Sequence, residues 1–164
     1  MTTKHAQHSA WQAFADAHSN LVKARQHLMK ISDGLVNTLS EAISDGDVSA
    51  VMHVAELLPQ DDLKRLFPEL LAVASSVNGQ TDIAQRLILR IPKDWLKQNT
   101  DANAEPFLAA ADEQADYETY ASLLTLYQLI DDDLAIRLAN RAAKHADEDL
   151  REVGEDALQS YGRL

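Results

Sequence analysis

Between Ser9 and about residue 31 the apolar side chains return at helical spacing: Phe14, Leu21 and Leu28 repeat at seven, with Ala15, Val22 and Met29 alongside. That period marks one face of an α-helix, and Ser9 with Gln12 three positions later has the form of a capping box. The spacing predicts one long amphipathic helix over about 9–31. Ser32 or Asp33 can cap a second helix, in which Leu35, Val36, Leu39 and Ile43 share a face. It ends at Asp45-Gly46, where glycine can take the left-handed conformation just beyond a helix. Val48, Val51, Met52, Ala55 and Leu58 form a third stripe, which Pro59 stops.

Asp61-Asp62 opens the next segment, with Leu63, Leu66 and Phe67 inward. Pro68 cannot donate a helical hydrogen bond, so the chain must kink there or begin a fresh helix with Pro68 at its first position. Leu70, Leu71, Val73, Ala74 and Val77 continue to Asn78-Gly79, and Thr81 caps a helix over 82–91 that Pro92 ends. The stretch 92–104 reads as a connection with at most one helical turn around Trp95 and Leu96, hence as a hinge between two halves. Glu105-Pro106 opens a helix to about Ala115. The segment from Tyr117 to Ile130 is apolar on more than one face, the mark of a central helix. The last two helices start at the acid runs 131–133 and 147–149, with Leu134 and Leu138 inward in one and Leu150, Val153, Ala157, Leu158 and Tyr161 in the other.

No apolar stretch alternates with period two, and only five Gly and four Pro occur, so strands find no support. The fold class expected is all-α: stacked antiparallel helical hairpins over 32–58, 61–91, 104–130 and 132–161. They would form either an α-solenoid or an irregular helical bundle. At 164 residues and 46% apolar composition, residues 1–164 fit a single helical domain with a substantial core.

Charge changes the functional picture more than composition does. The formal net charge is −11, and fifteen acids against five Lys or Arg fall between Asp101 and Leu164, leaving the first hundred residues nearly neutral. Nucleic-acid binding depends on Lys and Arg displacing counterions, so this balance speaks against nucleic acid and against anionic membrane surfaces. It favours a protein partner, and a basic one. Apolar runs are too short for a membrane span and the N-terminus lacks a secretory apolar core, which predicts a soluble, cytoplasmic chain. The absence of cysteine removes disulfides, thiolate nucleophiles and cysteine-based metal sites.

The segment "DEDLREVGEDALQSYG" (147–162) carries an acidic start, an Arg, and an Ala-Leu before a closing Gly, at Asp147, Asp149, Arg151, Ala157, Leu158 and Gly162. In this it resembles the second helix of HEAT-type repeats. The segment covers a tenth of the chain; it lacks a Pro after the acids, has one residue fewer before the Arg, and carries Gly154 inside the helix at a cost of about 1 kcal/mol relative to Ala. The resemblance implies a HEAT-like α-solenoid with a concave binding surface. Bottom-up, consecutive short hairpins bury their apolar stripes only by stacking on neighbours, which builds the same architecture.

Catalytic chemistry finds little footing. His5 and His8 have no third ligand nearby, Glu-x-x-His is absent, and His53 and Glu56 run in the reverse order. The run Asp131–Asp133 lacks the Gly and Glu of a calcium loop and suits helix capping. Phosphate-cradling glycine loops and the G-x-S-x-G elbow are also missing. We therefore expect no catalytic residue, no cofactor and no metal. The function expected is a non-enzymatic adaptor or inhibitor with an acidic C-terminal binding surface, of which an immunity or antitoxin-like protein neutralising a basic partner is a special case.

The residues singled out for partner binding are Asp112, Glu113, Asp116 and Glu118 at one helix junction, Glu152, Glu155 and Asp156 on the outer face of the last helix, and Trp95 as an interface anchor. The rival from another class is a helical enzyme or small-ligand binder with a pocket near Tyr117, Tyr120, Tyr127 and His145. The seven-residue stripe of the first helix, with Trp11 near its start, would also allow a homo-oligomer through that helix.

Overall fold

The computed structural model describes residues 2–30 and 34–162, with side chains from Gln7 onward. The caps expected at Ser32 or Asp33, and the side chain of His5, lie outside that range. The described residues form ten helices and no strand, an all-α fold. The chain divides into two compact units, Met1–Leu39 and Ser40–Leu164.

The first unit is dominated by α1, Thr2–Lys30, which extends the expected helix seven residues toward the N-terminus. Helix α2, Leu35–Ser44, begins in the first unit and ends in the second. Its Leu35, Val36 and Leu39 are buried, as the sequence stripe requires.

In the second unit, α3 (Val48–Ala55) and α4 (Gln60–Arg65) lead into α5 (Phe67–Ala74), which starts afresh with Pro68 in its first turn. Helix α6 spans Thr81–Ile88. The Arg90 guanidinium reaches back to the C-terminal end of α3, donating to the carbonyls of Glu56 at 2.9 Å and Leu58 at 2.8 Å. It thereby supplies donors to carbonyls that a helix end leaves without partners. Helix α5 buries Phe67, Leu70, Leu71, Val73 and Ala74, and packs on α4, α6, α7 and α8.

Helix α7 corrects the sequence reading. Residues 92–104 are not a loosely structured connection: Lys93–Gln114 is one continuous helix with Pro106 inside it. Its buried stripe is Leu96, Thr100, Ala104, Leu108 and Ala111, a helical period that polar and small members conceal. The buried Thr100 hydroxyl donates to the Leu96 carbonyl at 2.7 Å, and the Asn99 and Asn103 amides donate to Trp95 and Asn99 carbonyls. Side chains that ordinarily compete with a helix here bond back onto it.

Helix α8 (Tyr117–Ile130) buries Tyr120, Leu123, Leu124, Leu126, Tyr127 and Ile130, and touches α5, α7, α9 and α10. It occupies the central place expected of it. Asp131 alone separates it from α9 (Asp132–Ala142), and Asp131 accepts from the backbone N–H groups of Asp133 and Leu134 as the N-cap. Asp147 does the same for α10 (Glu148–Ser160), accepting from Asp149 and Leu150.

Gly154, which reads in the sequence as a defect of α10, has a packing reason. A Cβ there would lie 2.3 Å from the Ala143 nitrogen and 2.6 Å from the Ala139 oxygen. Helix α10 crosses α9 backbone to backbone at that point, over the small buried residues Ala139 and Ala142.

Candidate functional site

The acidic residues of the second unit fall into two groups, those consumed by internal partners and those left to solvent. Asp61 and Asp62 pair within α4 with Lys64 and Arg65, and the other ion-paired acids form a ladder between α7 and the start and exposed face of α9. Lys97 Nζ lies 2.6 Å from Asp131, Arg137 Nη2 lies 2.7 Å from Asp101, and Arg141 closes the far end. The register follows from the helices, because 97, 101, 105, 108 and 112 share one face of α7 while 137 and 141 share one face of α9.

Arg141 holds two carboxylates. It donates to Glu105 through Nη1 at 2.6 Å and Nη2 at 3.0 Å, a bidentate fork, and to Asp112 through Nη2 at 2.7 Å and Nε at 3.2 Å. The hydroxyl of the buried Tyr120 donates to the other Asp112 oxygen. Burial works to raise the Asp112 pKa, but the hydrogen bonds from Tyr120 and Arg141 outweigh it and hold the carboxyl below its ordinary value. Burial and the bond to Asp112 push the Tyr120 hydroxyl above its ordinary value, so it stays protonated as the donor. Asp131 is likewise lowered, chiefly by its hydrogen bond from Lys97.

Asp112 and Asp116, both nominated as partner-binding acids, are half-buried and engaged by internal partners. Asp116 caps α8, accepting from the Thr119 N–H at 3.1 Å and from the Thr119 hydroxyl at 2.7 Å. Their neighbours Glu113 and Glu118 are exposed. On α10, Glu148, Glu152, Glu155 and Asp156 are exposed along one face, and among the described residues no basic side chain forms an ion pair with any of them. Trp95 is half-buried and meets Phe67 edge-on, ring centroids 5.2 Å apart, so it serves the packing of α7 on α5.

The four residues of the alternative pocket do not converge. Tyr117 lines a depression of about 400 Å³ with Val77, Asn78, Thr81 and Gln85, whereas Tyr127 lines a separate one of about 250 Å³ with Asp101, Glu105, Arg137 and Arg141. Tyr120 is buried against Asp112, and His145 Nδ1 accepts from the Asp147 N–H. The Tyr127 hydroxyl is buried with no partner in hydrogen-bonding geometry, although burial and the nearby Asp101 charge together raise its pKa.

Among the described residues, no three His, Asp or Glu side chains come together as metal ligands, and no helix is long and apolar enough to cross a membrane. Compared with known protein families, with curated proteins and with solved structures, the chain shows no match.

Sequence reasoning missed the α7–α9 ladder because its partners lie 29 to 36 positions apart. The available signal was i, i+4 spacing in both helices: Lys97, Asp101 and Glu105 in one, Arg137 and Arg141 in the other.

Proposed function

We propose that the chain is a non-enzymatic interaction module that takes a basic protein partner on the acidic face of α10, Glu148, Glu152, Glu155 and Asp156. The observation that carries this reading is the contrast within the second unit: Asp101 and Asp131 each pair with one Lys or Arg and Glu105 and Asp112 share Arg141, while among the described residues no cation pairs with the α10 acids. Glu148 lies in the first turn, where the helix dipole favours an acid, but Glu152, Glu155 and Asp156 repel one another with no such helix-start role. A row of this kind raises the rate at which an oppositely charged partner is captured. Glu113 and Glu118 add two exposed acids at the junction of α7 and α8.

The consecutive packing of α5 with α6, α7 with α8, and α9 with α10 supports a HEAT-like use of stacked hairpins as a binding scaffold. An inhibitor of a basic nuclease is the special case most in keeping with the sign of the charge. The test is the ionic-strength dependence of binding, once the partner has been purified from lysate on the immobilised chain. Affinity should fall steeply with added salt, because exposed charges are screened beyond about 10 Å at 0.1 M. Affinity that does not change with salt would remove the acidic face from the account.

A further inference from the structure

Helix α1 carries an apolar face that the rest of the chemistry leaves unused. Trp11 is 64% and Phe14 63% exposed, and Leu21 and Val22 are exposed as well. Trp11, Phe14 and His18 stack along the helix, with ring centroids 5.8 Å and 6.4 Å apart. Ordered aromatics facing water in this way cover no core of their own.

The same face contains a second pattern. Along the seam, large and small residues alternate at helical spacing: Ala10, Phe14, Ala17, Leu21, Ala24, Leu28. The large ones fall at one heptad position and the alanines at the other. Ala10, Ala17 and Ala24 are exposed, and Leu28 is half-buried.

We propose that this face is the interface between two copies of the chain, with the two α1 helices packed antiparallel about a two-fold axis beside Ser19. In an antiparallel pair each heptad position meets the other kind on the partner helix. With the axis beside Ser19, Phe14 lies over Ala24 of the second copy, Leu21 over Ala17 and Leu28 over Ala10. The contact is self-complementary, as a two-fold interface requires. A parallel pair would set Phe14 on Phe14 and alanine on alanine, alternating overpacked layers with voids, both of which are destabilising.

Two quantities fix the occupant. Phe14 and Leu21 on the seam, with Trp11 flanking it, offer on the order of 300 Å² of apolar surface per copy. With the alanine seam, two copies together bury on the order of 1,000 Å², the lower end for a specific interface, which predicts a dimer of about micromolar affinity. Charge weighs against an anionic membrane. Helix α1 holds four Lys or Arg against one Asp, but the remaining residues hold eleven against twenty-five acids and would be repelled by such a surface. This interface is independent of the α10 face, and either can fail without the other.

Sedimentation velocity across concentrations bracketing about 10 μM should show a monomer–dimer equilibrium. Leu21→Glu should weaken it by about tenfold or more with unchanged far-UV circular dichroism, since Leu21 is exposed and its loss opens no core. Orientation is read by disulfide mapping, which this cysteine-free chain allows without background. Ala10→Cys and Leu28→Cys proteins, mixed and oxidised, should give the mixed disulfide. Like-with-like pairs in place of it would overturn the antiparallel arrangement. A wild-type chain that stays monomeric throughout, or stays monomeric while binding vesicles of phosphatidylserine and phosphatidylcholine, would overturn the interface itself.

Discussion

Arg141 gives two of its N–H groups to a single oxygen of Asp112, from Nη2 at 2.7 Å and Nε at 3.2 Å, while its remaining edge grips Glu105. One guanidinium thus ties two turns of α7 to α9, and Tyr120 of α8 completes the junction from below. Three helices are fixed in register by a single charged cluster. This neutralisation is also what separates structural acids from free ones.

Removing the Asp112 charge tests that cluster. Asp112→Asn should cost about 1–2 kcal/mol at neutral pH, between the values for exposed and buried ion pairs, because both partners are about one-third exposed. The sign with pH follows from the lowered pKa. A carboxyl whose folded pKa lies below its unfolded value contributes fully above about pH 4, and the contribution disappears as pH falls through the folded value. Urea unfolding at pH 6 and at pH 2.5 should therefore show a gap between wild type and variant that shrinks in acid. An equal gap at both pH values would mean that the charge of Asp112 is not what stabilises the junction.

Gly154→Ala sets helix propensity against packing. Alanine gains about 1 kcal/mol in an ordinary helix interior. Here its Cβ would meet the backbone of Ala139, Ala142 and Ala143 at 2.3–2.8 Å, and backbone cannot swing aside. A net loss of about 3 kcal/mol is expected, with a lowered Tm by circular dichroism. A raised Tm would show that α9 and α10 do not approach this closely.

Ala115 ends α7 in the left-handed region, at φ 53° and ψ 43°. That conformation costs an L-residue with a Cβ about 1 kcal/mol or more, while glycine adopts it freely. Ala115→Gly should raise stability by about 0.5–1 kcal/mol and Tm by about 2–4 °C, after the larger unfolded-state entropy of glycine is set against it. A fall in Tm would show that the turn between α7 and α8 is not held in this form.

The sequence was most legible where a single side chain decides local geometry. Asp131 and Asp147 read as caps and act as caps, and Pro68 opens a fresh helix, because those effects are confined to one helical turn. It was least legible over 92–104, where Thr100 and Ala104 occupy core positions that an apolar count passes over. Among the candidate acids, spacing alone could not tell Asp112 and Asp116 from Glu113 and Glu118. The difference arises from Arg141 and Tyr120, brought in by other helices, and from the chain turning at Ala115 so that Asp116 becomes a cap.

The central claim is that the exposed acids of α10 form the binding surface. It is tested most directly by comparing two triple charge reversals that change net charge equally. Glu152→Lys, Glu155→Lys and Asp156→Lys alter the α10 face, whereas Glu41→Lys, Asp45→Lys and Asp82→Lys alter exposed acids of α2, its C-terminal turn and α6. The dissociation constant for the purified partner should rise about tenfold or more for the α10 reversal and far less for the other. Equal losses from both would reduce the interaction to overall charge, and no loss from the α10 reversal would contradict the account.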